Sequence, residues 1–174
     1  MFRFTRRRSC SVKKRPPYRA GNPSKASSTP AAYPATMGET VYRWVDHTAE
    51  LELHVDAPTE EEVFTEAMGA LRELLVEHMD GTSGAEPTRH EVHASAPDRR
   101  TLLAEWLSEL VYLAESDGFV PERVDSLRLS ADSVDARVSG VRASPPNLVK
   151  AVTYHRLEMA AIEGSWHATV VLDV

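Results

Sequence analysis

Residues 41–56, VYRWVDHTAELELHVD, decide how the rest of the chain is read. Val41 to Val45 is apolar and β-prone. From Glu50 onward, Leu51, Leu53 and Val55 alternate with Glu52, His54 and Asp56, the period of a half-buried strand. The five residues between the two strands are Asp46, His47, Thr48, Ala49 and Glu50, an unusual choice for a turn that Gly, Asn, Ser or Pro would normally make. Two carboxylates flanking an imidazole and a hydroxyl suit a metal site, a proton-handling site or a polar docking point. The simpler alternative is a turn capped by Asp46 and Thr48. His54 falls on the polar side of its strand, where solvation is the expected state.

Outward from this stretch, the pattern changes to helix. Ala57-Pro58 ends the strand, Thr59 is placed to cap a helix, and Glu60, Glu61 and Glu62 crowd its positive end, with Glu62 as capping-box partner. Val63, Phe64, Ala67, Met68, Leu71, Leu74 and Leu75 recur at three- and four-residue spacing, giving an amphipathic helix to about His78. Asp80 to Gly84 is a loop and Arg89 to Ala96 a strand. His90 and His93 are three apart on that strand, so they point to opposite faces and do not form the helical zinc motif. Asp98 caps a second helix whose apolar face runs from Leu102 to Leu113, and Gly118 ends it. Glu105 and Glu109 on its other side read as a solvated pair.

Four strands follow: Val124 to Leu129, Val134 to Val141, Leu148 to Met159 and Trp166 to Val174. Hairpins are expected at Ala131-Asp132-Ser133 and at Glu163-Gly164-Ser165, with a loop at 143–147. Strands are grouped rather than alternating with helices. The fold class is therefore α+β, a two-layer arrangement of about seven strands in a largely antiparallel or mixed sheet under two amphipathic helices.

Charge divides the chain in two. Residues 1–36 contain nine Lys and Arg and no acid, which leaves 11 basic against 26 acidic residues in the remainder, a net of −15. The basic segment is rich in Ser, Pro and Ala and lacks any helical or strand period, a composition that does not form a core. It reads as an arm for a polyanion, as an organelle transit peptide, or as an extension upstream of a start at Met37; no function is drawn from it. Residues 37–174 form the organised domain. The single cysteine, Cys10, lies outside it, so neither a disulfide framework nor a cysteine zinc site is available within one chain. No apolar run approaches the ~18 residues of a membrane span. A cytoplasmic location is expected, with no membrane partner.

A second candidate residue stands at the far end. Asp173 is the only charge in residues 169–174, and a carboxylate there must be exposed at the strand end, protonated, or held by a cation. With Asp46 and Glu50 it would supply oxygen ligands to Ca²⁺, Mg²⁺ or Mn²⁺ if the first and last strands are neighbours. Alternation on the long strand puts Thr153 and His155 on one face and Lys150 and Tyr154 on the other.

These segments resemble archease proteins. Residues 42–56 are similar to the family's opening, Asp-His-Thr-Ala-Asp followed by an alternating strand. Residues 59–64 and 103–113 look like its two helices, VKAVTYH at 149–155 like its long strand, and VLDV at 171–174 like its ending. The match runs in order from about residue 40 to 174. The resemblance implies an accessory factor, not an enzyme, that promotes guanylylation and multiple turnover of an RtcB-type GTP-dependent RNA ligase in tRNA splicing and RNA repair. It implies an acidic metal site at Asp46, Glu50 and Asp173 with His47 beside it and Lys150, Thr153 and His155 in support. RNA would then be met only through the ligase, as suits a domain of net charge −15. Glu50 departs from the family's usual Asp, which leaves its role as a direct ligand open. Two other functions fit the residues: a metal-dependent hydrolase or nucleotide-processing enzyme using Asp46, His47 and Asp173, and a chaperone-like binding module.

Overall fold

The computed structural model describes residues 41–46, 50–77, 79, 84–145 and 149–174, with the side chain of Asp46 outside that description. Seven strands and two helices follow in the order β1 (Val41–Asp46), β2 (Glu50–Ala57), α1 (Glu60–Val76), β3 (Glu86–Ser95), α2 (Arg99–Asp117), β4 (Phe119–Leu129), β5 (Ser133–Arg142), β6 (Ala151–Ile162) and β7 (Ser165–Asp173). Every strand pair is antiparallel, and the class is α+β as expected. The strands do not share one sheet. They divide into a four-stranded sheet, β1-β2-β7-β6, and a three-stranded sheet, β3-β5-β4.

The helices join the two sheets. α1 packs on β2 and β4, α2 packs on β6 and β3, and the helices touch each other. Both caps follow from the sequence: the Thr59 side chain accepts from the Glu62 amide, and the Asp98 side chain accepts from the Thr101 amide. Gly118 ends α2 in the left-handed conformation at φ 64°, a geometry glycine adopts without a Cβ penalty. The largest fully buried side chains, Trp106 and Phe64, lie where the helices meet, and the Trp106 indole N–H donates to the Phe64 carbonyl at 3.1 Å. Leu53, Val55, Val170 and Leu172 close the core from the four-stranded sheet; Val92, Val134 and Val138 close it from the other.

Local turns set the hairpins. Glu163 and Gly164 both take positive φ, 52° and 85°, the two-residue left-handed turn that matches strand twist. Ser130 and Ser133 close the β4–β5 turn, with the Ser130 amide donating to the Ser133 carbonyl at 2.9 Å. β4 starts at Phe119, earlier than its alternation suggests, because register shifts after Pro121 and after Val124 break the period. Gly140 lies against that irregular stretch: a Cβ there would meet the Val120 carbonyl oxygen at 2.1 Å.

The predicted 80–84 loop lies largely outside the described residues. His90 and His93 do face opposite ways: the His90 ring packs on Phe119 at 4.5 Å, while His93 is exposed beside Asp135.

Replacing Trp106 by Phe deletes the donor and removes part of the ring system from a fully buried site. Chemical denaturation should show a loss of about 2–4 kcal/mol. Gly140→Ala should cost about 1–3 kcal/mol, since the new methyl meets backbone that can move only by disturbing the bulge.

Candidate functional site

The site is built by strand register. β2 pairs with β1 on one side and with β7 on the other, so the first and last strands are not neighbours; β2 lies between them. Asp46 ends β1 opposite Leu51, and Glu50 begins β2 opposite Asp173. Asp173 in turn lies opposite Ala151 at the start of β6. Asp46, Glu50, Asp173 and Lys150 therefore gather at one end of the four-stranded sheet. His47 and Thr48 lie outside the described residues. So does the Asp46 side chain, and the described part of the acidic cluster is Glu50 and Asp173. Among the described residues, no three His, Cys, Asp or Glu side chains gather at metal-binding spacing.

Lys150 anchors the open side of this end. Its amide donates to the Asp173 carbonyl at 2.8 Å, and its ammonium donates to the Val174 carbonyl at 2.8 Å, 4.0 Å from the Asp173 carboxylate. The Asp173 side chain is 43% exposed, so its charge is not stranded in the core.

The long strand departs from simple alternation. Thr153 pairs with Val171, but the next pair is Glu158 with Thr169, so four residues of β6 bulge over one of β7. Arg156 sits in that bulge at φ 54°, a conformation rare for a side chain of its size. Thr153 is partly buried with its hydroxyl tucked away from solvent, and His155 is exposed within the bulge. Tyr154 reaches α2, where its hydroxyl donates to Glu105. That bond pushes the phenol's pKa up, because Glu105 stabilises the protonated form. Glu105 is therefore not simply solvated.

The bulge carries Arg156 across β7 to β2. Its guanidinium donates to the Glu52 carboxylate at 2.8 Å, and the other oxygen of Glu52 meets His54 Nε2 at 2.7 Å. His54 Nδ1 lies 3.2 Å from the Thr169 hydroxyl. His54 is thus half-buried in a network and not solvated, as its place in the strand pattern had suggested. Glu52 is only 8% exposed on the face turned away from the helices. Arg156 holds its carboxyl below the ordinary carboxylate range, with His54 assisting and burial opposing. Along the same face, His167 Nδ1 lies 2.5 Å from the Asp56 carboxylate. Nothing in the strand pattern marks Glu52 or Arg156 as partners; they are 104 residues apart.

An α+β domain of two antiparallel sheets joined by a helix pair, with acids collected at one sheet end, defines the class. Residues 42–174 match the model of the Archease protein family. The chain is 34% identical to the protein archease of Methanosarcina barkeri over 142 residues, 76% of this chain and 95% of that protein. It is 35% identical to the protein archease of Methanosarcina mazei, with the same coverage. Its fold is similar to the solution structure of Methanobacterium thermoautotrophicum protein 1598, at TM-score 0.59 and 25% identity, covering 76% of this chain and 98% of the other. The chain belongs to the archease family, as its motifs led one to expect. Among the described residues, no helix is long and apolar enough to cross a membrane.

A folded-state pKa held low means that Glu52 adds stability above its unfolded pKa and loses it as pH falls through the lowered value. Thermal unfolding should therefore weaken more steeply below about pH 4 in the wild type than in Glu52→Gln. Arg156→Ala should cost about 1–2 kcal/mol at neutral pH by leaving the buried carboxylate without its main partner.

Proposed function

We propose that this archease is an accessory factor of an RtcB-type GTP-dependent RNA ligase, promoting the ligase's guanylylation and multiple turnover in tRNA splicing or RNA repair. The observation that carries the reading is the register that brings Asp46, Glu50, Asp173 and Lys150 to one end of one sheet. In this reading the protein performs no bond-making step of its own. It presents a charged sheet end to a partner, and its excess of acid favours a basic partner surface over RNA itself.

The donor chemistry fits a divalent cation. Carboxylates without cysteine suit Ca²⁺, Mg²⁺ or Mn²⁺, which prefer oxygen. Asp46, Glu50 and Asp173 would hold it, and the bound ion would supply positive charge at the docking face. Lys150 has a different part. Its ammonium is tied to the chain terminus and tempers the Asp173 charge. Glu50 stands directly opposite Asp173, so its longer side chain still reaches the same region.

The test pairs binding with stimulation. Asp46→Ala and Asp173→Ala should each weaken divalent-ion binding, read by calorimetry, on the order of tenfold or more. Both should also abolish stimulation of guanylylation and turnover of the cognate ligase. Full stimulation by both variants would sink the proposal. Turnover of nucleoside triphosphates by the isolated protein would replace it with an enzymatic role at Asp46, His47 and Asp173.

A further inference from the structure

Among the described residues, two sheets with open ends present four edge strands: β1, β6, β3 and β4. Exposed edges invite pairing with another chain, and proteins blunt them with charge, proline, bulges or brevity. Three of the four are blunted here. β3 carries Pro87, Arg89, Glu91 and His93. β4 carries Pro121, Arg123, Asp125 and Arg128 and two register shifts. β1 is six residues long with Arg43 exposed at its centre. The first half of β6 is blunted as well, by the bulge at Arg156 and by α2.

The second half of β6 is not. Residues 158–162, Glu-Met-Ala-Ala-Ile, run in unbroken register with β7 on one side. Among the described residues nothing pairs with the other side. The segment holds no proline and no basic residue. Ala160 and Ala161 are exposed, and Ile162 is 53% exposed, among the largest apolar exposures of the domain.

We infer that this edge pairs antiparallel with the same edge of a second copy of the chain, on a twofold axis at Ala160. The register follows from the ends of the segment. The bulge stops the ladder before Glu158 and the turn at Glu163-Gly164 stops it after Ile162. Only an Ala160-centred pairing uses all five residues. It sets Ala160 opposite its own counterpart, Met159 opposite Ala161, and Glu158 opposite Ile162. No like charges face each other. The two Glu158 side chains stand about 13 Å apart at the strand rise, beyond the screening length at physiological salt. Small side chains at the centre let the backbones approach to ladder distance. An acceptor strand from an unrelated protein would need only a free edge; this segment's charge and size also match itself. The contact is isologous. It is small by the standard of stable interfaces, so the dimer is weak and concentration-dependent.

Sedimentation of the full chain should show a reversible monomer–dimer equilibrium by about 1 mM. Ala160→Lys puts like charges opposite each other on the exposed face and should weaken association about tenfold or more. Its circular dichroism and melting should stay as in the wild type. A cysteine series in a Cys10→Ser background reads the register directly. Ala160→Cys should form a covalent dimer on mild oxidation, because directly opposed strand residues lie within disulfide reach. Glu158→Cys alone should not, whereas a mixture of Glu158→Cys and Ile162→Cys proteins should. A wild type that stays monomeric at that concentration overturns the inference. So does cross-linking that is equal for Ala160→Cys and Glu158→Cys.

Discussion

The indole of Trp106 and the carbonyl of Phe64 tie the two helices to each other inside the buried core. Each helix packs on strands of both sheets, and the contact between the helices ties these two bridges into one core. Hydrophobic burial supplies most of the driving force, but burial has no direction. The N–H of a fully buried indole requires an acceptor, and an unpaired donor there would be costly. The Phe64 carbonyl meets that need from the facing helix. Both rings are fully buried, which makes the contact a locator as well as a source of packing energy.

With the helices placed, the four-stranded sheet has one side packed on them and the other turned away from them. Leu51, Leu53 and Val55 turn inward opposite Leu172, Val170 and Ala168; Glu50, Glu52, His54 and Asp56 turn outward opposite Asp173, Val171, Thr169 and His167. A slip of one residue would bury this row of acids and expose the leucines, so the core itself enforces the register. The alignment of Glu50 with Asp173 is therefore a by-product of hydrophobic sorting several residues away. No bond between the two carboxylates is needed to bring them together, and their mutual repulsion is held down by exposure and by Lys150. The outward row then sorts its own charges, as Glu52 takes Arg156 and His54, and Asp56 takes His167.

What the residues disclose in advance is what depends on near neighbours. Thr59, Asp98 and Gly118 mark helix ends because each acts on backbone within four residues. The alternation of 50–56 and the turn at 163–165 are local for the same reason. Asp46, Glu50 and Asp173 were legible as acids in places where acids are out of character. Their convergence rested on the family resemblance and on a condition of adjacent first and last strands, whereas the strands meet through β2, which lies between β1 and β7. The division into two sheets is likewise a matter of strand partners far apart in the chain. The bulge at Arg156 escaped because arginine gives no signal for positive φ; its partner Glu52 looks like any outward residue of an alternating strand. His54 shows the same failure, as a polar position became half-buried once Arg156 crossed over.

The bulge gives β6 two independent halves. Before it, Ala151 to Thr153 pair with Asp173 to Val171 and hold the end where Lys150 meets the terminus. After it, Glu158 to Ile162 pair with Thr169 to Ser165 at the opposite end of the sheet. Extra residues in one strand are left unpaired and interrupt the ladder locally. Whatever covers the far half of the strand therefore need not disturb the acids at the near end. Arg156 adds a second safeguard, for its bond to Glu52 ties the bulge to β2 rather than to the free edge. A strained residue kept in place by a buried carboxylate separates a charged sheet end from an unprotected strand edge within one twelve-residue strand.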